Sequence, residues 1–244
     1  MSTAQIRFYE ELNDFLPQTK RKVLYTISFR DHPSIKHVIE AERVPHTEVD
    51  LILINGRSVP FTEKVQDGDF ISVYPVFESF DISLVCRLRP EPLRDPQFIL
   101  DVHLGKLARY LRMLGFDSLF SPDYGDKDLV GISLSENRAV LTRDRQLLMK
   151  KELTRGYWIR SDHIVEQVTE VIHRFDLKRL VHKFSRCTLC NEELIEVDRE
   201  VAEQRYPDHH FVPEMTFFQC LSCRHIYWQG SHCDRFYRML SRII

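Results

Sequence analysis

FILDVHLGKLARYLRMLGFD, Phe98 to Asp117, is the stretch from which the rest of the chain can be read. Phe98-Ile99-Leu100 is a short apolar run that stops at Asp101. Leu104, Leu107, Ala108 and Leu111 then recur at i, i+3, i+4 and i+7, one face of a helical period. Lys106, Arg109 and Arg112 fall between them, so the other face is basic, with Arg112 expected on solvent. Gly115 stands where a helix can close in the left-handed conformation. A buried strand thus hands a carboxylate straight to an amphipathic helix, a placement suited to a metal ligand.

Downstream, strand and helix patterns alternate. Ser118 to Phe120 is a short strand, and DKDLVGISLSEN reads as a helix capped by Asp126, with Asp128 in its first turn and Leu129, Val130 and Leu134 apolar. Ala139 to Thr142 is a buried strand running into Arg143-Asp144 and a short helix. Gly156 to Ile159 and a helix lined by Ile164, Val165, Val168, Val171 and Ile172 follow. Such alternation predicts an α/β domain with a parallel sheet and helices on both faces, over 97–182.

In that architecture Asp101 and Asp144 both follow apolar strands at the edge where ligands gather. Asp126 and Asp128 open the intervening helix on the same edge if the connections are right-handed. Each aspartate alone could be only a helix cap. Together they form a carboxylate set that suits Mg²⁺ or Mn²⁺, able to activate water against a phosphodiester.

These three segments, FILDVHLGKLARYLRMLGFD, DKDL and AVLTRDRQLL, resemble the PIN-like ribonuclease domain named for the C-terminus of the Mutator-seven exonuclease. The resemblance covers roughly 97–240 and implies Mg²⁺ or Mn²⁺ held by Asp101, Asp128 (with Asp126 as its rival) and Asp144. Asp162 is a weak candidate for a fourth acid. RNA is the implied substrate, and Lys106, Arg109, Arg143 and Arg145 are placed to bind its phosphates. His103 is left without a role. A non-catalytic RNA- or ribosome-associated adaptor is the alternative.

Residues 1–80 pattern as strand, strand, helix and three short strands. Ile6 and Phe8 alternate with polar neighbours, Ser34 precedes a helix with Ile35, Val38 and Ile39, and Asn55-Gly56 is a hairpin turn. VDLILINGRSVPFTEKVQDGDFISVYP resembles the ubiquitin-like β-grasp fold of sulfur carriers. The terminal di-glycine that carrier chemistry needs is missing, so a domain that docks a protein partner is expected. Residues 81–96, with Pro90, Pro92 and Pro96, form the predicted linker, and Cys86 is a lone cysteine in it.

Over 183–244 two CxxC pairs, Cys187/Cys190 and Cys220/Cys223, match tetrahedral Zn²⁺. Their separation implies an insertion that bulges outward, assigned to Asp198–Glu214. Asn191 follows the first pair at a left-handed position. The family resemblance also implies a zinc ribbon followed by Tyr227-Trp228-Gln229-Gly230-Ser231-His232. His232 and Cys233 are spare ligands, and a closing helix is expected over Phe236–Leu240.

The chain has 244 residues, 43% of them hydrophobic, enough for two or three cored domains. Net charge is −2, and only 81–182 is net positive, with 17 Lys/Arg against 15 Asp/Glu, so charge alone argues weakly for an anionic substrate. MSTAQIRFYEEL lacks a signal-like apolar core, and no apolar run nears the roughly 20 residues of a membrane span, so a cytoplasmic, membrane-free protein is expected.

Overall fold

The computed structural model describes residues 1–75, 88, 96–230 and 237–238. Contacts divide them into two compact units. One holds the N-terminal residues with Asp144–Trp158; the other holds Pro96–Arg143 with the residues from Ile159 onward. Most of the predicted linker, Cys86, Ser231 to Cys233 and most of the expected closing helix lie outside the described residues; Tyr237 and Arg238 are helical.

In the N-terminal unit, β1 (Ser2–Phe8) buries Ala4, Ile6 and Phe8, as its alternation requires. β2 (Tyr25–Phe29) pairs antiparallel to it. Ser34 Oγ accepts the His37 N–H at 3.3 Å and starts α1 (Ile35–Ala41), which buries Ile35, Val38 and Ile39. β3 (Val49–Ile54) turns through Asn55 and Gly56, at φ 51° and 78°, into β4 (Arg57–Ser58). β5 (Phe70–Pro75) inserts between β1 and β3, giving the order β2-β1-β5-β3-β4. This mixed sheet sharing one core with α1 is the expected ubiquitin-like β-grasp.

Nothing in the sequence pattern marks His46-Thr47-Glu48, yet this 3₁₀ turn holds the remote segment Asp144–Trp158. His46 Nε2 donates to the Leu153 carbonyl at 2.8 Å and Thr47 Oγ1 to the Leu148 carbonyl at 3.3 Å. The buried Glu48 carboxylate accepts the Trp158 N–H at 2.6 Å. Three consecutive polar residues are tolerated in the interior because each is hydrogen-bonded to a backbone group.

The second unit begins with β6 (Phe98–Leu100), wholly buried, and α2 (Gly105–Met113). β7 (Ser118–Leu119), α3 (Asp126–Glu136) and β8 (Ala139–Thr142) follow. β6 lies between β7 and β8 and is parallel to both, with α2 and α3 as the crossovers that parallel pairing demands. Two details of α3 differ from expectation. Gly125, not Asp126, is its N-cap, and Leu134 is 48% exposed while Ser133 is buried, its hydroxyl donating to the Arg138 carbonyl at 2.7 Å. A satisfied hydroxyl can occupy the inner face, which frees the leucine to point outward.

α4 (Arg145–Leu148) and β9 (Gly156–Trp158) belong to the first unit. The chain re-enters the second at Ile159, whose N–H donates to the Thr142 carbonyl at 2.8 Å, and continues as α5 (Ile164–Arg174). β10 (Leu194–Val197), α6 (Arg199–Arg205), β11 (Phe217–Cys220) and β12 (Ile226–Trp228) complete it, with β11 central in an antiparallel three-stranded sheet. The insertion does not bulge outward. Ala202 and Phe211 are buried with Phe217 and Ile226, flanked by Tyr206, Met215 and Trp228, so a mostly polar segment covers the ribbon core with its few apolar residues.

Candidate active site and cysteine cluster

Asp101 sits where β6 ends, 5% exposed. Its N–H donates to the Leu141 carbonyl at 3.1 Å, which ties it to the neighbouring β8. Its Oδ1 accepts the His103 N–H at 2.8 Å and opens a 3₁₀ turn, Val102–Leu104, ahead of α2. Oδ2 accepts the Thr142 hydroxyl and the Arg143 N–H, the latter at 3.1 Å. A carboxylate offers about four lone-pair directions, so three acceptances hold Asp101 still and leave capacity for a cation. Nothing in the sequence gives Thr142 this part in holding Asp101. The available signal was a hydroxyl ending an otherwise apolar strand.

Arg143, expected to bind phosphate, pairs with Asp162. That guanidinium holds the exposed Asp162 carboxyl below its ordinary value. The Asp162 loop is itself fixed from α5: Glu170 accepts the Arg160 and Ser161 N–H groups, both at 2.9 Å, and Gln167 donates to the Ser161 carbonyl. Nothing in the sequence marks Glu170 for this. Thus Asp101, Thr142, Arg143 and Asp162 form one connected set.

Asp128 and Asp144 each accept a backbone N–H close in sequence. Asp128 is exposed and its Oδ2 accepts the Gly125 N–H at 2.9 Å, while Asp126 is exposed in the first turn of α3. Asp144 caps α4 by accepting the Gln146 N–H at 2.7 Å. Arg145 lies over the Trp158 ring, 3.6 Å from its centroid. His103, Lys106 and Arg109 are exposed.

Cys187, Cys190, Cys220 and Cys223 are the one group of three or more such ligands, among the described residues, whose ligand atoms all lie within 4.8 Å of one another. Cys187 and Cys223 Sγ are 3.5 Å apart, Cys190 and Cys220 Sγ 3.4 Å. Tetrahedral zinc with Zn–S bonds of about 2.3 Å would hold sulfurs roughly 3.8 Å apart, so the four cysteines could hold zinc with little movement. The two knuckles repeat one geometry. Asn191 at φ 71° and Arg224 at φ 61° each donate backbone N–H to the carbonyl of the first cysteine, at 3.0 and 2.9 Å. Burial pushes the Cys187 thiol up, but hydrogen bonds from Tyr227 and the loop amides outweigh it and bring it down to about 7. Burial raises Cys223 to about 12.

The first knuckle is bonded directly to the parallel sheet. Arg112 is not on a solvated face: it is 4% exposed, with Nε donating to the Ser118 carbonyl at 2.8 Å and Nη1 to those of Thr188 and Leu189 at 3.2 and 2.9 Å. Desolvation lowers its pKa. Buried Asn191 accepts the Ser118 N–H at 2.9 Å and donates to Asp117 at 2.7 Å. Asp117 also pairs with Arg138 at 2.6 Å. Burial pushes the Asp117 carboxyl up, but the bonds from Arg138 and Asn191 win and hold it below its ordinary value. Trp228 packs edge-on against Tyr206 and Phe211, and Tyr227 OH bonds Thr188, so both aromatics are occupied within the ribbon.

Residues 96–240 match the family model of the Mut7-C RNAse domain, well over half of the chain. This chain belongs to the Mut7-C RNAse family. Residues 1–81 match the companion Mut7-C ubiquitin domain, so both halves carry the Mut7-C arrangement and the chain falls in a PIN-like nuclease family. No curated protein matches it. Among solved structures it is similar to a protein of Pyrococcus furiosus described as molybdopterin converting factor, subunit 1, at 19% identity, and to small archaeal modifier protein 1 of Haloferax volcanii, at 10%. Each match covers 32% of this chain and 100% of the other, with a TM-score of 0.26. Among the described residues of this Mut7-C protein, no helix is long and apolar enough to cross a membrane.

Proposed function

We propose that the protein is a metal-dependent ribonuclease, with Asp101, Asp128 and Asp144 holding Mg²⁺ or Mn²⁺ in a nuclease domain over 97–182. The observation that carries this reading is the Asp101 carboxylate: buried, immobilised by the end of β8, and still able to accept a cation. An all-carboxylate donor set is the hard-oxygen chemistry these ions take. Bound there, the ion would supply a more acidic water and charge stabilisation at a phosphodiester. The chain's own part is to hold the acids in place: Thr142 and the Arg143 amide fix Asp101, and Gly125 orients Asp128. Asp126 remains the rival to Asp128, and Asp162 serves Arg143 rather than a metal.

Of the basic residues, Arg143 is engaged by Asp162 and Arg145 by Trp158. Lys106 and Arg109 are therefore the first phosphate contacts. Zinc on the four cysteines would be structural, and the ubiquitin-like domain would bind a protein partner in the cytoplasm. The test is cleavage of labelled single-stranded RNA with Mn²⁺. Wild type is expected to cut and both Asp101→Asn and Asp144→Asn to lose at least about 100-fold in rate; full activity in either variant removes that residue from the site, and an inert wild type favours the adaptor reading.

A further inference from the structure

His173–Arg186 carries five Lys/Arg against a single acid, Asp176. Two of the five are committed: Arg174 is buried, and Arg186 reaches Asp117 at 3.6 Å and donates to the Asn191 carbonyl. Lys178, Arg179 and Lys183 are exposed. No carboxylate pairs with them among the described residues.

The backbone beneath them is fixed to the C-terminal end of α2. The His182 N–H donates to the Leu114 carbonyl at 2.9 Å. Gly115, at φ 97°, passes so close that a Cβ there would lie 2.4 Å from the His182 carbonyl oxygen and 2.7 Å from Ser185 Oγ. Phe184 sits at φ 57°, a left-handed conformation costly for a bulky side chain, with its ring stacked on Phe218 at 5.3 Å. Lys183, its exposed neighbour, has Nζ 4.2 Å from the centroid of the Tyr237 ring, whose hydroxyl donates to the Met113 carbonyl at 3.1 Å. Met113 is one turn beyond Arg109 and about 10 Å along the helix from Lys106. Lys183 therefore stands at the C-terminal end of α2, and α2 begins beside Asp101.

We propose that Lys106, Arg109 and Lys183, continued by Lys178 and Arg179, form a track for the sugar–phosphate backbone of single-stranded RNA, leading it toward Asp101. This rests on the ribonuclease reading above. Cations on the exposed face of α2 and on an anchored segment suit a polyanion contacted without base reading.

The experiment is fluorescence anisotropy of a labelled oligouridylate with the full-length protein and the triple variant Lys178→Ser, Arg179→Ser, Lys183→Ser, over a salt series without added divalent cations. All three side chains are exposed, and unchanged thermal melting of the variant confirms its fold. Losing three phosphate contacts should flatten the log–log salt slope by about 2, so raising salt from about 50 to 200 mM weakens wild type about 20-fold more than the variant. An equal slope overturns the track and leaves the strip to another anionic partner, with the ribonuclease reading intact. A wild type that does not bind the oligouridylate overturns both.

Discussion

The cysteine quartet and the aspartate set are two prospective metal sites assembled in opposite ways. Each CxxC turn delivers two thiols from four consecutive residues, and the same backbone bond, donated by left-handed Asn191 and Arg224, shapes both turns. The four sulfurs are accordingly within bonding reach of one ion. The aspartates come from segments far apart in sequence, and each carboxylate is satisfied by a nearby N–H. The cysteine set is gathered by local backbone turns, whereas the proposed aspartate set draws on three separate segment starts, where each carboxylate accepts a local N–H.

The largest effect that could break this contrast is loss of a thiolate. Structural zinc contributes about 10–16 kcal/mol in small fingers, and that energy is folding energy. Cys220→Ser is expected to abolish stoichiometric zinc and open the ribbon to protease, read by metal analysis and limited digestion. Retained zinc with a protected ribbon would refute a structural role.

Next is the link between the ribbon and the parallel sheet. Asp117→Asn removes one of the two carboxylates on buried Arg138, leaving Glu136 at 2.7 Å, and should cost about 1.5–3 kcal/mol near pH 7, measured by denaturant unfolding. The Asp117 carboxyl is held below its ordinary value, so its contribution is complete above the unfolded pKa of about 4 and is lost as pH falls through the lower folded value. The stability gap between wild type and variant should therefore close in acid below about pH 4. A gap that persists there would contradict the ion-pair account.

A smaller effect sharpens the aspartate side. Thr142→Val keeps the shape of the β8 end but removes the hydroxyl on Asp101. Partners behind a metal ligand typically contribute 10–100-fold, so Mn²⁺ affinity or RNA cleavage should fall by about that factor with zinc content unchanged.

The same contrast explains how much the sequence could show. Strand alternation, the Asn55-Gly56 turn and the CxxC spacing are local patterns with one geometric meaning, and the β-grasp sheet and cysteine cluster follow them. Arg112 looked like a solvated cation because helical spacing says nothing about which carbonyls lie opposite; the Thr188 and Leu189 carbonyls come from a loop over seventy residues away. The polar insertion hid Ala202 and Phe211, too sparse to register as a periodic face. Asp101 could be picked out at a strand end, but its Thr142 and Arg143 partners depend on which strand lies beside it.

The proposed function requires a second, hard-ion site separate from the cysteines. Titrating Mn²⁺ into zinc-loaded protein, followed by water-proton relaxation, tests it most directly. Wild type should show a chelator-reversible Mn²⁺ site that is lost in Asp101→Asn while zinc stays at one per chain. Mn²⁺ binding that survives Asp101→Asn unchanged, or is missing from wild type, would contradict it.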